Sequence, residues 1–335
     1  MSTTRTERVL VTGARGFVGS HVVEHILKNT DWDVVIFDKL GYASLTEDRL
    51  TDIEIWEANK HRVNFYAINL TLPVPDTIDR EIGEIDYILH LAADSHVDHS
   101  IEDPRTFILN NVACTIGILE YARNHPELKM FINFSTDEVY GPAPEGYSFK
   151  EFEWHRPSNP YAASKSAQEA IGISYSNTFK VPVITTHTMN IIGERQHPEK
   201  YVPMVIRKVL NGETVTIHSN ADKTKAGSRF YIHARNLADA LLHIISLGYN
   251  GYDEWNIAGL QEIDNLEMAQ RIANIIGKEL KYEMVNFHSS RPGHDLRYAL
   301  DSSKLIDSGY MYPKDFDYTL EHTVRWTVEN KDKWL

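Results

Sequence analysis

The chain has 335 residues, 42% hydrophobic and 24% charged, a balance that suits one large or two ordinary globular domains and excludes a disordered or fibrous protein. A formal charge of −13 argues against broad nucleic-acid binding, and no apolar run approaches the length needed to cross a bilayer, so neither nucleic acid nor membrane is expected as a partner. The single cysteine, Cys114, cannot form an intramolecular disulfide, and the short polar start lacks a signal-peptide layout, which makes a reducing, cytoplasmic setting the expectation.

Arg8–Thr12 reads as a buried strand, followed by a glycine turn and a helix over residues 16–28. Further apolar runs follow at 34–37, closed by Asp38, and at 63–68, 87–91, 130–134 and 183–186. Helical stretches fall between several of them, notably 104–123 and 161–178. Short buried strands alternating with helices are the pattern of a parallel sheet covered on both faces, so the fold class expected is α/β, a doubly wound Rossmann-like sheet. After about residue 190 the rhythm breaks, and Pro, His and charged residues become denser. Residues 1–190 are read as a dinucleotide-binding domain and 191–335 as a smaller mixed α/β substrate lobe, with the chain crossing between them more than once. Residues 219–228, polar and Lys-containing, read as an exposed, mobile loop.

The turn Gly13-Ala14-Arg15-Gly16-Phe17-Val18-Gly19 sits between strand and helix. Glycines let the backbone approach a pyrophosphate, and the helix N-terminus offers free N–H groups to it. Asp38 ends the second strand, where an acid accepts hydrogen bonds from an adenosine ribose and repels a 2′-phosphate, so NAD is the cofactor expected. Arg15 and Lys39 are the residues that could instead meet the phosphate of NADP, or be solvated surface cations.

Tyr161 and Lys165 lie four apart, on one face of a helix. A free phenol titrates near about pH 10, and an adjacent ammonium would favour the phenolate that takes a proton from a sugar hydroxyl. Earlier, the run 130–134 leads into Ser135-Thr136-Asp137-Glu138-Val139-Tyr140-Gly141. Two adjacent acids at the mouth of a buried strand are costly to desolvate, and are best accommodated where acids do chemistry. Sixteen histidines include His21 and His25 on the first helix, but no third ligand stands at a convincing spacing and no metal is expected. Cys114 reads as a small core residue.

These segments resemble the extended short-chain dehydrogenase/reductase superfamily and, within it, the nucleotide-sugar 4,6-dehydratases. The resemblance is carried by Asp38-Lys39-Leu40-Gly41-Tyr42-Ala43, by 90–98 with its Leu91-Ala92-Ala93, by 135–141, by Tyr161 with Lys165, by Pro198-Glu199-Lys200 and by Arg291-Pro292-Gly293-His294-Asp295-Leu296-Arg297-Tyr298. The resemblance implies that Gly13, Gly16, Phe17, Val18, Gly19, Asp38, Lys39, Leu91, Ala92, Ala93, Asn111, Ser135, Tyr161 and Lys165 bind NAD. Tyr161 would be the base for the sugar 4-hydroxyl, Lys165 would tune it and hold the nicotinamide ribose, and Thr136 would hydrogen-bond the sugar oxygen. Glu138 would remove the C5 proton and Asp137 would protonate the departing C6 hydroxyl. Ser95, Asn190, Lys200, Arg229, Arg291 and His294 would hold the nucleotide sugar, with Tyr298 either stacked on a base or filling core. The implied product is a 4-keto-6-deoxyhexose, the first substrate to expect is dTDP-linked glucose, and the implied assembly is a homodimer through the helices at 104 and 161. Four places depart from the pattern: Asn69 where an Asp is common, Ile191-Ile192 where Asn-Tyr is usual, His99 for an Arg, and a longer loop before Arg229. The same residues leave room for a nucleotide-sugar 4-epimerase or decarboxylase, which would not need Asp137-Glu138, and for an NAD-binding regulatory protein without turnover.

Overall fold

The computed structural model describes residues 5–41, 49–286 and 296–335. In chain order the strands are β1 (Arg8–Thr12), β2 (Asp33–Asp38), β3 (Val63–Ala67), β4 (Tyr87–His90), β5 (Met130–Thr136), β6 (Val183–Thr188), β7 (Ile191–Ile192), β8 (Val215–Ser219), β9 (Ser228–Phe230), β10 (Ile232–His233), β11 (Asp253–Ile257), β12 (Glu262–Asp264) and β13 (Tyr282–Asn286). The longer helices are α1 (Phe17–Asn29), α2 (Pro104–Arg123), α3 (Pro160–Phe179), α4 (Tyr201–Asn211), α5 (Ala234–Leu247), α6 (Asn265–Ile276) and α7 (Phe316–Glu329). Two compact units interleave along the chain: 1–136, 160–187 and 238–255 form the first, and 137–159, 188–237 and 256–335 the second. Segment 137–159, with both acids of the motif, thus belongs to the second unit, and 238–255 to the first.

The first unit is built on a seven-stranded sheet ordered β11-β6-β5-β4-β1-β2-β3. Strands β3, β2, β1, β4 and β5 run parallel, in registers such as Val11↔Ile36 and Val11↔Leu89. Strand order reverses beside β1, so the carboxyl ends of β1 and β4 flank the crevice where ligands bind in such sheets. Runs such as Val9-Leu10-Val11 have no exposure because helices cover both faces. Leu10, Phe37, Ile88, Ile118, Leu119, Phe131 and Val183 share one core, and burying each contributes about 1.5–3 kcal/mol. Cys114 lies in this core as a packing residue. α2 begins where Pro104 occupies the first turn and the Asp103 carboxylate accepts from Thr106 N at 3.1 Å, a cap that also fixes its expected start. β3 departs from the expected buried run: it is the edge strand, and Phe65 is 43% exposed.

The second unit carries paired short strands: β7 with β10 and β8 with β13 in parallel, and β9 with β12 antiparallel. Its core gathers Val205 and Ile206 of α4, Ile217 of β8, Met268 and Ile272 of α6, and Leu320 and Val324 of α7. The 219–228 segment is exposed at 221–225, as expected, and its turn is closed by its own hydrogen bonds. Asn220 Oδ1 accepts from Thr224 N at 2.9 Å and Lys225 N at 3.1 Å, Asn220 N donates back to Lys225 O at 3.0 Å, and Ser219 bridges Ala226. An Asn side chain that satisfies the backbone of its own turn gives a polar sequence a defined local shape.

Candidate active site

The cradle after β1 follows from close backbone approach. Gly13 has φ +69°, and a Cβ there would stand 2.9 Å from Ala92 Cα, so the turn lies directly against Leu91-Ala92-Ala93 after β4. A Cβ on Gly19 would stand 2.4 Å from Gly13 O, so α1 can start this close to the turn only with glycine there. Gly16 caps α1 without a side chain, Phe17 and Val18 open it, and no acid stands in its first turn. The first N–H groups of the helix are therefore left open to an anion. The Asp38 carboxylate is held by Arg15 N at 3.0 Å and Leu40 N at 2.8 Å. The two cations that could favour a 2′-phosphate are occupied: Lys39 Nζ is 3.4 Å from Asp94 Oδ1 and 3.2 Å from Asn110 Oδ1, and the Arg15 guanidinium lies 5.9 Å over the Phe65 ring. A diphosphate dinucleotide without a 2′-phosphate fits this donor set. Asn69 Oδ1 accepts from Thr71 N and Thr71 Oγ1 at 3.1 and 2.9 Å, so it shapes its own turn.

Beneath the cradle runs a buried polar network. His90, at the end of β4, bonds Thr12 Oγ1 at 2.9 Å and Thr115 Oγ1 at 3.0 Å. Burial pushes its imidazole down to about 3, with the Lys165 charge acting in the same direction, so it is a neutral clamp. Asn111 of α2 is fully buried; its Oδ1 takes Asp94 N at 2.8 Å and its Nδ2 reaches Asp94 O at 2.9 Å and Ser164 Oγ at 3.0 Å. It thereby braces the loop after β4, where Ser95 is exposed, against α3.

Helix α3 carries Tyr161 in its first turn and Lys165 one turn on. The Tyr161 ring meets Phe107 edge-on at 6.2 Å, and its backbone N–H donates to Ser100 Oγ at 3.2 Å. Lys165 is 5% exposed, and its ammonium donates to Phe134 O of β5 at 2.5 Å. Burial lowers the Lys165 ammonium to about 8, against the opposing pull of Glu169. Glu169, one further turn along, is fully buried, accepts from Ser135 Oγ, and pairs with His187 Nε2 of β6 at 3.0 Å. Neither Glu169 nor His187 was singled out from sequence, because neither residue type marks a site until its burial is known.

In the second unit, Asp137–Tyr140 form a 3-10 turn that directly follows β5 and its last residue, Thr136. Asp137 is 5% exposed, Glu138 is half-buried, and Asn159 Nδ2 donates to Glu138 Oε2 at 2.8 Å. Gly141 ends the motif at φ +78°, where a Cβ would be 2.5 Å from Arg156 O; the chain folds back here, with Arg156 N on Val139 O at 2.8 Å. Among the substrate residues, Asn190 has an exposed side chain and a carbonyl taken by Ile232 N at 3.1 Å, and Lys200 precedes α4. Arg229 of β9 donates to Ser228 O and Leu296 O, both at 2.7 Å, and stacks 4.6 Å over Tyr298. Tyr298 is 3% exposed and packs with Val139, Tyr140 and Met189, so it fills core. Arg291 and His294 lie outside the described residues. Between Asn190 and Lys200 stands Glu194, fully buried, 2.7 Å from Arg235 Nη1, 2.5 Å from His322 Nδ1 and 3.3 Å from His233 Nε2.

A parallel sheet ending in a glycine turn that opens a helix, with a tyrosine and a buried lysine one helical turn apart, defines a dinucleotide-dependent enzyme of the dehydrogenase/reductase class. Residues 9–258 match the NAD dependent epimerase/dehydratase family, and the chain belongs to it. It is 34% identical to a dTDP-glucose 4,6-dehydratase of Escherichia coli over 98% of this chain and 95% of that relative. It is 35% identical to a dTDP-glucose 4,6-dehydratase of Neisseria gonorrhoeae over 99% of both. The crystal structure of DesIV, a dTDP-glucose 4,6-dehydratase from Streptomyces venezuelae with NAD bound, superposes with a TM-score of 0.86 at 30% identity, covering 98% of both chains.

Proposed function

We infer that the protein is an NAD-dependent nucleotide-sugar 4,6-dehydratase, a hydro-lyase whose first substrate is dTDP-glucose. The observation that carries this reading is the pair Asp137-Glu138 immediately beyond β5, with Glu138 gripped by Asn159, in a chain that is similar along its whole length to enzymes of that name. An epimerase would have no use for these acids. The cradle of Gly13, Gly16 and Gly19, with Asp38 and the Leu91-Ala92-Ala93 segment, would hold NAD, which when bound takes hydride from C4 and returns it at C6.

The chain's own residues supply the proton chemistry. Tyr161 takes the 4-hydroxyl proton, its phenolate favoured by the Lys165 ammonium one turn away. Thr136 hydrogen-bonds the sugar oxygen. The resulting 4-ketone acidifies C5, Glu138 removes that proton, and Asp137 delivers a proton to the C6 hydroxyl as it leaves as water. One carboxyl must be ionised while its neighbour holds a proton, a division that adjacency favours because like charges repel. Asn190, Lys200 and Arg229 would bind the nucleotide diphosphate, with Arg suited to phosphate oxygens.

A cytoplasmic homodimer through α2 and α3 completes the proposal. It is supported by the exposure of Leu109 (57%) and Ile116 (39%) on α2, and sedimentation showing only monomer at micromolar concentration would refute it. The reaction itself is tested by offering dTDP-, UDP-, CDP- and GDP-hexoses in deuterated water, with mass spectrometry of the products. Loss of water with solvent deuterium at C5 is expected. Inversion at C4 without exchange, or no turnover across the panel, overturns the assignment.

A further inference from the structure

The dehydratase reading uses Tyr161 and Lys165 but leaves Glu169 without a task. Residues 161, 165 and 169 stand at successive four-residue steps on α3, so their side chains share one stripe. Glu169 has no exposure, and an ionised carboxylate so placed is tolerated only when it is paired and hydrogen-bonded. Both oxygens are engaged: Oε1 by the Ser135 hydroxyl of β5 and Oε2 by His187 Nε2 of β6 at 3.0 Å. Ser135 stands between Phe134, whose carbonyl takes the Lys165 ammonium at 2.5 Å, and Thr136. Glu169 therefore fastens the carboxyl end of β5 to α3 one turn along from Lys165, and its negative charge acts on that buried ammonium.

We propose that Glu169 is a positioning residue of C4 oxidation: its buried carboxylate is the counter-charge that keeps the Lys165 ammonium charged and the Ser135-Thr136 strand end in place. This deepens the dehydratase reading and rests on its assignment of Tyr161 and Lys165. The other groups around the ammonium cannot do the same work. Tyr161, on the same helix, is the group to be tuned. Cys114 of α2 remains a thiol, because burial pushes it up to about 12. His90 of β4 is neutral and its protonation would oppose the Lys165 charge. His187 and Tyr252 engage Glu169 itself: His187 bonds it, and Glu169 helps raise the Tyr252 phenol. Burial alone draws the Lys165 ammonium down, and Glu169 heads the influences that push it back up.

The test is Glu169→Gln, with Glu169→Asp as the graded variant. The Lys165 ε-carbon is titrated by NMR in protein labelled with 13C-lysine, and the pH profile of dTDP-glucose turnover is measured in parallel. In Glu169→Gln the lysine should lose its proton about one pH unit or more earlier, and the alkaline limb of the rate profile should move by the same amount. Glu169→Asp should move both partway, and if Glu169→Gln does not fold, this variant alone decides. A uniform loss of activity at every pH, with the lysine titration unmoved, would make Glu169 merely structural and overturn the proposal. Tyr161→Phe separates the two levels: retained turnover in that variant sinks the dehydratase reading, whereas an inactive Tyr161→Phe beside an unshifted Glu169→Gln sinks only this inference.

Discussion

Glu194 offers the sharpest stability test in the second unit. Its carboxylate has no exposure and faces Arg235 Nη1 at 2.7 Å, His322 Nδ1 at 2.5 Å and His233 Nε2 at 3.3 Å. Glu194→Gln keeps the shape and removes the charge. Breaking a fully buried pair costs about 3–5 kcal/mol, but the Arg235 side chain is 37% and the His322 side chain 47% exposed. Solvent screens both partners, which brings the loss down to about 2 kcal/mol. In a unit of this size that is a fall of about 4–8 °C in the midpoint of thermal unfolding. The variant should also lose a pH signature. Hydrogen bonding to Glu194 raises the His322 imidazole, against a smaller opposing effect of burial. Its folded value therefore lies above its unfolded one, so the stabilisation is complete below the unfolded value of about 6.5 and is lost as pH rises through the folded value. Wild type should lose stability as pH rises above about 6.5 by circular-dichroism melting, and Glu194→Gln should lose less. A variant that melts within 1–2 °C of wild type (an order-of-magnitude threshold), with the same pH dependence, would show that the buried carboxylate is not the hub described.

Three further outcomes follow from the geometry. In Gly19→Ala the new Cβ would lie 2.4 Å from Gly13 O and 2.7 Å from Ala14 Cα, backbone atoms that cannot swing aside; overpacking of about 1–3 kcal/mol should lower NAD affinity roughly tenfold by calorimetry, and unchanged affinity would place the cofactor elsewhere. Glu138→Gln should abolish solvent exchange at C5 while single-turnover absorbance still registers hydride removal from C4, and Asp137→Asn should slow water loss more than C4 oxidation; normal exchange in the first, or equal slowing of both steps in the second, would misassign the acids. The Cys114 thiol, buried, donating to Ala92 O at 3.6 Å and pushed up to about 12, should resist a thiol reagent at pH 8 until the protein unfolds. Rapid native labelling would contradict its core position.

What could be read from the sequence divides along a physical line. Elements carried by their own periodicity or punctuation were legible: β1 through its apolar run, α2 through Asp103 and Pro104, and the cradle through glycines that only close backbone approach explains. Features set by tertiary placement were not. β3 is apolar enough to read as buried and is exposed only because it ends the sheet. The 219–228 segment has a loop's composition, and the Asn220 side chain that helps to close its turn is not marked by any pattern of residue types. Segment 137–159 joins the second unit although it continues directly from a strand of the first, a division no local pattern announces.

Helix α3 shows why the site was half legible. Its buried stripe comprises Tyr161, Ala162, Ser164, Lys165, Gln168, Glu169, Gly172 and Ser176, a set with almost no large apolar side chain. Hydrophobic periodicity therefore reports nothing about which face turns inward, and a Glu among Ser, Gln and Ala looks like ordinary solvated surface. Tyr161 and Lys165 were recoverable because a glycine turn elsewhere in the chain accompanies a pair that alone would be commonplace. Glu169 was not, because a carboxylate is commonplace on a helix and becomes informative only once it is known to be sealed from water. The consequence is general for buried polar networks: their members are identified by burial, not by residue type. In this protein the same condition hid His90, His187 and Glu194, each of which is fully or almost fully enclosed and each of which is bonded to a side chain from another element.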